Sequence, residues 1–428
     1  MSLSGSTRRD EAATAQAAPA PVPAPAPATP PAPVGPGGRT SPVLLAVIAL
    51  CTAVTVANIY LAAPLLGLIA HSFGAAASGV GWIAAVGQLG YAAGLLLFAP
   101  LGDTAHRRKA VAVLALGVGA AMAASSFAPG LGLLGAGVFA ASAASVVPQL
   151  LVPLVVERAP AGRRGMHLGA LMAGLFAGIV AARVLGGAAA QAYGWRAVFL
   201  AAGLLTVVVG AGTAALLPSG ARAGGPAVTA NPLHGMARTA RALASSAELR
   251  RACLRQGGLF GAWSALWTSL VLLLTGEPYH LSTGTAGLFG LLGLSASLVA
   301  PLSGGLVDRF GSRKVVRGTY ALAVLWLPLF WLGGHRMWAL CAAAVLVHAG
   351  LVAGQVANQA RALAATDTPA AANTGYVVAA FAGAAAASAL SGVAFGHWGW
   401  TGVCAVAACW LLLGGLPGIR THLRPRRR

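Results

Sequence analysis

One arginine is out of place. Arg183 interrupts the apolar run 167–191, about ten residues before its end, and it is the only charge deep inside any such run. A guanidinium in hydrocarbon costs at least about 2.5 kcal/mol, so it normally faces a cavity or a partner. Its planar fork of donors suits an anion or a neutral polar ligand. His348 lies in another apolar run and is the best remaining titratable group, since imidazole takes up protons near neutral pH. Asn58, Tyr60, Gln88, Gln149, Gln355 and Asn358 are further polar groups in apolar surroundings, and Trp263 and Trp267 form an aromatic face one helical turn apart. Each has a plainer reading. Arg183 could snorkel outward, His348 could be a packing histidine, and the other polar groups could hydrogen-bond between helices.

What is missing narrows the chemistry. No Asp or Glu falls in the middle of an apolar run; Glu157 and Glu277 sit at run ends. There is no pair of acids or His–acid pair near the surface for a transferase, and no GxxxxGK[ST] loop for a nucleotide phosphate. The five cysteines are scattered without a CxxC pair, which fits small buried hydrophobes, and no metal or cofactor is expected. Binding without catalysis is the expectation.

The elements that must position these groups are membrane helices. Charged residues make up 8% of the chain and apolar ones 57%, against roughly 25% charged in soluble domains. Apolar runs of about 20 residues recur, each long enough to span a hydrocarbon core as a helix. Twelve spans are predicted near 43–67, 78–100, 109–127, 131–155, 167–191, 196–217, 254–275, 285–305, 315–333, 337–359, 373–395 and 400–417. They divide into six-helix halves at 43–217 and 254–418. A basic central loop at 218–253 lies between them, after a Pro/Ala-rich tail at 1–42 that is expected to be disordered, and a basic C-terminus follows at 419–428.

With both termini inside, 25 of the 28 Lys and Arg residues fall on the cytoplasmic side. This asymmetry fixes the expected topology. It also accounts for the net charge of +20 without nucleic acid. Arg outnumbers Lys by 26 to 2, and Ala and Gly abound, which points to GC-rich coding and a bacterial plasma membrane.

Two charged clusters mark an internal repeat. Asp103, Arg107, Arg108 and Lys109 stand in "APLGDTAHRRKAV"; Asp308, Arg309, Arg313 and Lys314 stand in "GGLVDRFGSRKVV". An offset of 205 maps Leu306, Asp308, Arg313 and Lys314 onto Leu101, Asp103, Arg108 and Lys109. The same offset pairs the two "FAG" segments beginning at Phe176 and Phe381, and pairs Gly194-Trp195 with Gly399-Trp400. The repeat mate of Arg183 is Ser388, so the symmetry breaks at the charge. Two parallel six-helix repeats are a transporter architecture.

Gly304-x-x-x-Asp308-Arg309-x-Gly311-x-Arg313-Lys314 resembles the cytoplasmic loop motif of the major facilitator superfamily, with Asp103 and its bases as a weaker first copy. "GWRAVF" from Gly194 resembles the start of span 6 in bacterial efflux members. "ANIYLAAPLL" and "GLFGLLG" resemble a twelve-span drug and metabolite:proton antiporter subgroup. The resemblance implies alternating access, with Asp103 and Asp308 latching the cytoplasmic side against helix starts near Asn373 and Gly165. Gly174, Gly178, Ala182, Gly186 and Gly187 resemble the small-residue antiporter motif of span 5, except that Ala182-Arg183 replaces its Gly-Pro.

The expected function is secondary transport, as an exporter of small neutral or anionic organic molecules in exchange for protons. The partners are that substrate, the bilayer and protons, and the expected state is a monomer. An importer or uniporter of the same fold, or a non-transporting sensor, are the alternatives.

Overall fold

The computed structural model describes residues 41–98, 107–158, 164–217 and 232–422. Among them every regular element is helical: α1 (Pro42–Tyr60), α2 (Leu66–Ser72), α3 (Trp82–Phe98), α4 (Arg107–Ser126), α5 (Leu131–Ala144), α6 (Val147–Arg158) and α7 (Arg164–Leu216), then α8 (Pro232–Ser245), α9 (Ala247–Thr275), α10 (Thr283–Leu288), α11 (Ser295–Phe310), α12 (Ser312–Leu332), α13 (Met337–Leu363) and α14 (Pro369–His422). Eight helical stretches are long and apolar enough to cross a membrane. Helices suit that medium because they satisfy their own backbone hydrogen bonds.

Two of these helices each contain two legs. α7 breaks at Gly194 (φ 81, ψ 155) and α14 at Gly399 (φ 56, ψ −147). These backbone angles exclude ordinary side chains, so a glycine is required. The two glycines are 205 residues apart, the offset of the repeat. Packing repeats as well. A Cβ added at Gly178 would strike the Ala53 carbonyl on α1, and one added at Gly383 would lie 2.6 Å from the Gly257 carbonyl on α9. Small residues thus let the first leg of α7 approach α1, and the first leg of α14 approach α9, at backbone distance.

Two regions depart from the expected outline. Part of the 218–253 gap is helical: α8 runs Pro232–Ser245, and α9 begins at Ala247 rather than near 254. Pro232 at the first turn, followed by Met, Ala, Leu and Arg, suits a helix start and body. The apolar side of α8 reaches α14, where Thr239 and Leu243 pack over Gly375. The predicted span 285–305 is not one even helix either. α10 passes into a 3-10 stretch, Phe289–Leu294, before α11. Six residues are long for 3-10 geometry, and such stretches mid-helix often mark hinges.

Candidate functional site

Arg183 is 6% exposed, midway along the first leg of α7. Its place is fixed by close contact with α10 and with the 3-10 stretch that follows it. A Cβ on Gly287 would lie 2.5 Å from the Arg183 carbonyl, and one on Gly290 would lie 2.8 Å from the Arg183 Cβ. The guanidinium rests 4.2 Å from the ring centre of Trp267, 5.3 Å from Trp263 and 5.9 Å from Tyr60. Cation–π attraction contributes about 0.5–2 kcal/mol per close ring. It does not satisfy the donors, and Nη1 is buried without a hydrogen-bond partner. None of the ion pairs among the described residues involves Arg183.

Two chambers meet at this side chain. One, a cavity of about 20 Å³, is walled by Ala63, Pro64, Leu270, Val271, Leu274 and Ala286. The other, about 10 Å³, is lined by Tyr60, Gln88, Trp263, Ser264, Trp267 and Thr268. The first is apolar. The second carries a chain of hydroxyl groups: Gln88 Nε2 donates to Ser264 Oγ (2.6 Å), which shares a hydrogen bond with Ser388 Oγ (2.8 Å), and Thr268 Oγ1 meets the same Ser388 Oγ at 2.9 Å. Ser388, the repeat mate of Arg183, thus enters the network through α14.

His348 closes the aromatic wall. Its Nδ1 lies 2.6 Å from the Ala344 carbonyl, which can only accept, while Trp263 Nε1 donates to His348 Nε2 (3.3 Å). The proton therefore sits on Nδ1 and the imidazole is neutral. Its ring packs 5.1 Å from Trp267.

The remaining sequence candidates disperse. Gln149 Nε2 donates to the Tyr91 hydroxyl at 3.4 Å. Asn58 Nδ2 donates to Thr206 Oγ1 on the second leg of α7 (2.9 Å), and Asn358 Nδ2 to the Ala252 carbonyl (2.6 Å). Gln355 is exposed. Gly174 packs on the Ala49 carbonyl, Gly186 on Leu61 and Gly187 on the Thr283 carbonyl.

In the charged loops, Asp103 lies outside the described residues. Arg107 and Arg108 open α4, where both take part in interactions. Asp308 is exposed in the last turn of α11, and Arg309 lies 5.2 Å over Phe310. Gly311 turns the chain between α11 and α12 with φ 79. The surroundings of Gly165 lie outside the described set, and Asn373 Oδ1 accepts from Gln359 Nε2 at 2.7 Å.

A further charged group escaped the sequence reading. Glu248 Oε1 accepts from Arg255 Nη1 (3.1 Å) and from the Nε (3.0 Å) and Nη2 of Arg361, and Arg251 lies 3.6 Å from Oε2. It ties the start of α9 to the end of α13. Next to it, Arg313, Lys314, Arg317 and Arg361 line an open cavity.

Comparison with known proteins agrees with this architecture. The Major Facilitator Superfamily profile matches residues 48–262. The chain is 59% identical to the probable transporter SCO4007 of Streptomyces coelicolor over 93% of its own length and 91% of the relative's. It is 33% identical to the uncharacterized transporter YgaY of Escherichia coli, covering 87% and 94% of the two chains. Among solved structures, the nucleoside transporter NupG superposes with a TM-score of 0.70 at 11% identity, covering 88% of this chain and 98% of that one. An inward-facing bacterial homologue of the human lysosomal transporter Spinster gives 0.63 at 15% identity, covering 89% and 95%. The protein is a helical membrane transporter, not an enzyme, and the chain belongs to the major facilitator superfamily.

Proposed function

We propose that the protein exports small neutral or anionic organic molecules across the bacterial plasma membrane by alternating access, in exchange for protons and as a monomer. The observation that carries the substrate reading is Arg183: a buried cation between two chambers, held by aromatic rings, with a free donor and, among the described residues, no carboxylate beside it. A cationic substrate would meet repulsion there. A neutral or anionic one supplies the acceptor that Nη1 lacks.

Twelve crossings follow if the legs of α7 and α14 count separately, α5 with α6 form one span, α10 with α11 form one span and α3 forms another. The excess of Lys and Arg on one side supports a cytoplasmic location for both termini and the Gly311 loop. The Gly187–Thr283 and Arg183–Gly287 contacts then close the outer side of the chambers. Asp308, with Arg309, Gly311 and Arg313, and Asp103 with Arg107 and Arg108, act as cytoplasmic latches. A charge–dipole contact of this type contributes about 0.3–2 kcal/mol.

Export and proton exchange draw on the resemblance of "ANIYLAAPLL" and "GLFGLLG" to efflux antiporters. His348 offers a route for coupling. A proton can enter only at Nε2, and there it displaces the Trp263 N–H and moves the wall beside Arg183. The test is transport by purified protein in vesicles, over a panel of labelled organic molecules, with and without an imposed pH gradient. The reading expects gradient-driven movement of neutral or anionic compounds that Arg183→Gln reduces at least tenfold. Transport indifferent to the gradient removes the antiport. Unchanged transport by the variant removes the cavity.

A further inference from the structure

The aromatic groups around Arg183 belong to a longer series. Tyr91 on α3 lies 4.5 Å from Phe381 on α14; Phe381 lies 5.1 Å from Phe260; Phe260 stacks on Trp263 at 5.2 Å with planes 12° apart; and Trp263 lies 6.3 Å from Trp267. The guanidinium of Arg183 caps the series, 4.2 Å over Trp267. Phe260, Trp263 and Trp267 follow one face of α9 at helical spacing, and they advance about 10 Å along its axis. The rings come from both repeats, at the seam where the two sets of helices meet. The series ends on a cation with an unpartnered donor, beside a small cavity.

We infer that the substrate of this site is a small, flat organic monoanion, such as an aromatic carboxylate, whose charge docks on Arg183 while its ring lies against the Trp263–Trp267 wall. This rests on the reading of the Arg183 chambers as the transport site. The charge count follows from the surroundings. One cation without a carboxylate neighbour neutralises one negative charge, and a dianion would carry a second, unpaired charge into a wall of rings and aliphatic groups. The size follows from the tightness of the site: the two cavities measure only about 20 and 10 Å³, room for about a water each, so only a small ligand enters, and it must part the walls as it does. Flatness follows from the wall itself, since ring faces pack best against ring faces in offset or edge contact. The hydroxyl chain of Ser264, Thr268 and Ser388 is placed to meet a polar substituent on the ring.

The test is equilibrium binding to the purified full-length protein of four matched probes: benzoate, neutral benzamide, cationic benzamidine and the dianion phthalate. Cyclohexanecarboxylate serves as the non-planar control. Benzoate is expected to bind at least tenfold tighter than each of the others. Arg183→Gln is expected to bind benzoate no tighter than benzamide, and Trp267→Leu to bind benzoate no tighter than cyclohexanecarboxylate. Equal affinity for benzoate and benzamide in the unaltered protein overturns the inference without any variant, so a poorly folding substitution cannot shield it. No binding of benzoate, together with vesicle transport of a neutral compound that Arg183→Gln abolishes, also overturns the monoanion while leaving the cavity reading intact. Failure of Arg183→Gln to alter either assay removes both.

Discussion

Gly287→Ala adds one methyl group at the closest approach of α10 to α7. The new Cβ would stand 2.5 Å from the Arg183 carbonyl oxygen, 0.9 Å short of the 3.4 Å at which ordinary contact begins. The obstacle is backbone, so no side chain can swing aside. The two helices must separate by most of that distance wherever they pack. Overpacking of this kind costs about 1–3 kcal/mol. Only the state with the outer side closed bears the cost, so the equilibrium moves toward the outward-open state by roughly 5- to 150-fold.

The assay is reaction of an impermeant thiol reagent with a Leu270→Cys reporter in intact cells, with the five native cysteines replaced. Leu270 is 4% exposed and lines the apolar chamber, so its reaction rate reports opening. The rate is expected to rise by that factor in Gly287→Ala. Gly212→Ala, on the second leg of α7, is the control: its Cβ meets nothing within 4 Å. An unchanged rate in folded Gly287→Ala would refute the claim that this contact closes the outer side.

Other expectations follow from the same geometry. Glu248→Gln leaves Arg255, with a side chain only 7% exposed, without a counter-charge. A loss of about 2–3 kcal/mol is expected, read as a lower thermal midpoint in detergent. Gly194→Ala forces a side chain onto φ 81 and ψ 155, at a cost of about 1–3 kcal/mol that the same melt should register. Asp308→Asn is expected to abolish transport while membrane insertion stays intact; wild-type transport by that variant would remove the latch.

The sequence foreshadowed much of this arrangement because its signals were local or periodic. A lone Arg in an apolar run has to find special surroundings, and Arg183 did. Trp263 and Trp267 share a helical face by spacing alone. The offset that aligned Gly194 with Gly399 also located the two bends. Less could be read where partners are far apart in the chain. Ser264, Thr268 and Ser388 are ordinary hydroxyl residues in apolar runs until α9 and α14 bring them within 3 Å. Glu248 looked like a loop residue because α9 starts earlier than hydropathy indicates: Arg250, Arg251 and Arg255 lower the average over its first three turns. The polar spans told a similar story. Asn58 and Asn358 found partners on other helices away from Arg183, and single polar residues carry no mark of which helix they face.

The central claim is that one buried site opens to each side of the membrane in turn. Ser264 tests it most directly, being 1% exposed and placed on the hydroxyl chain beside Arg183. A Ser264→Cys reporter in a cysteine-free background, in vesicles of known orientation, should react with impermeant thiol reagent added from either face, more slowly when a transported compound is bound. Reaction from one face only, or from neither, would contradict the account.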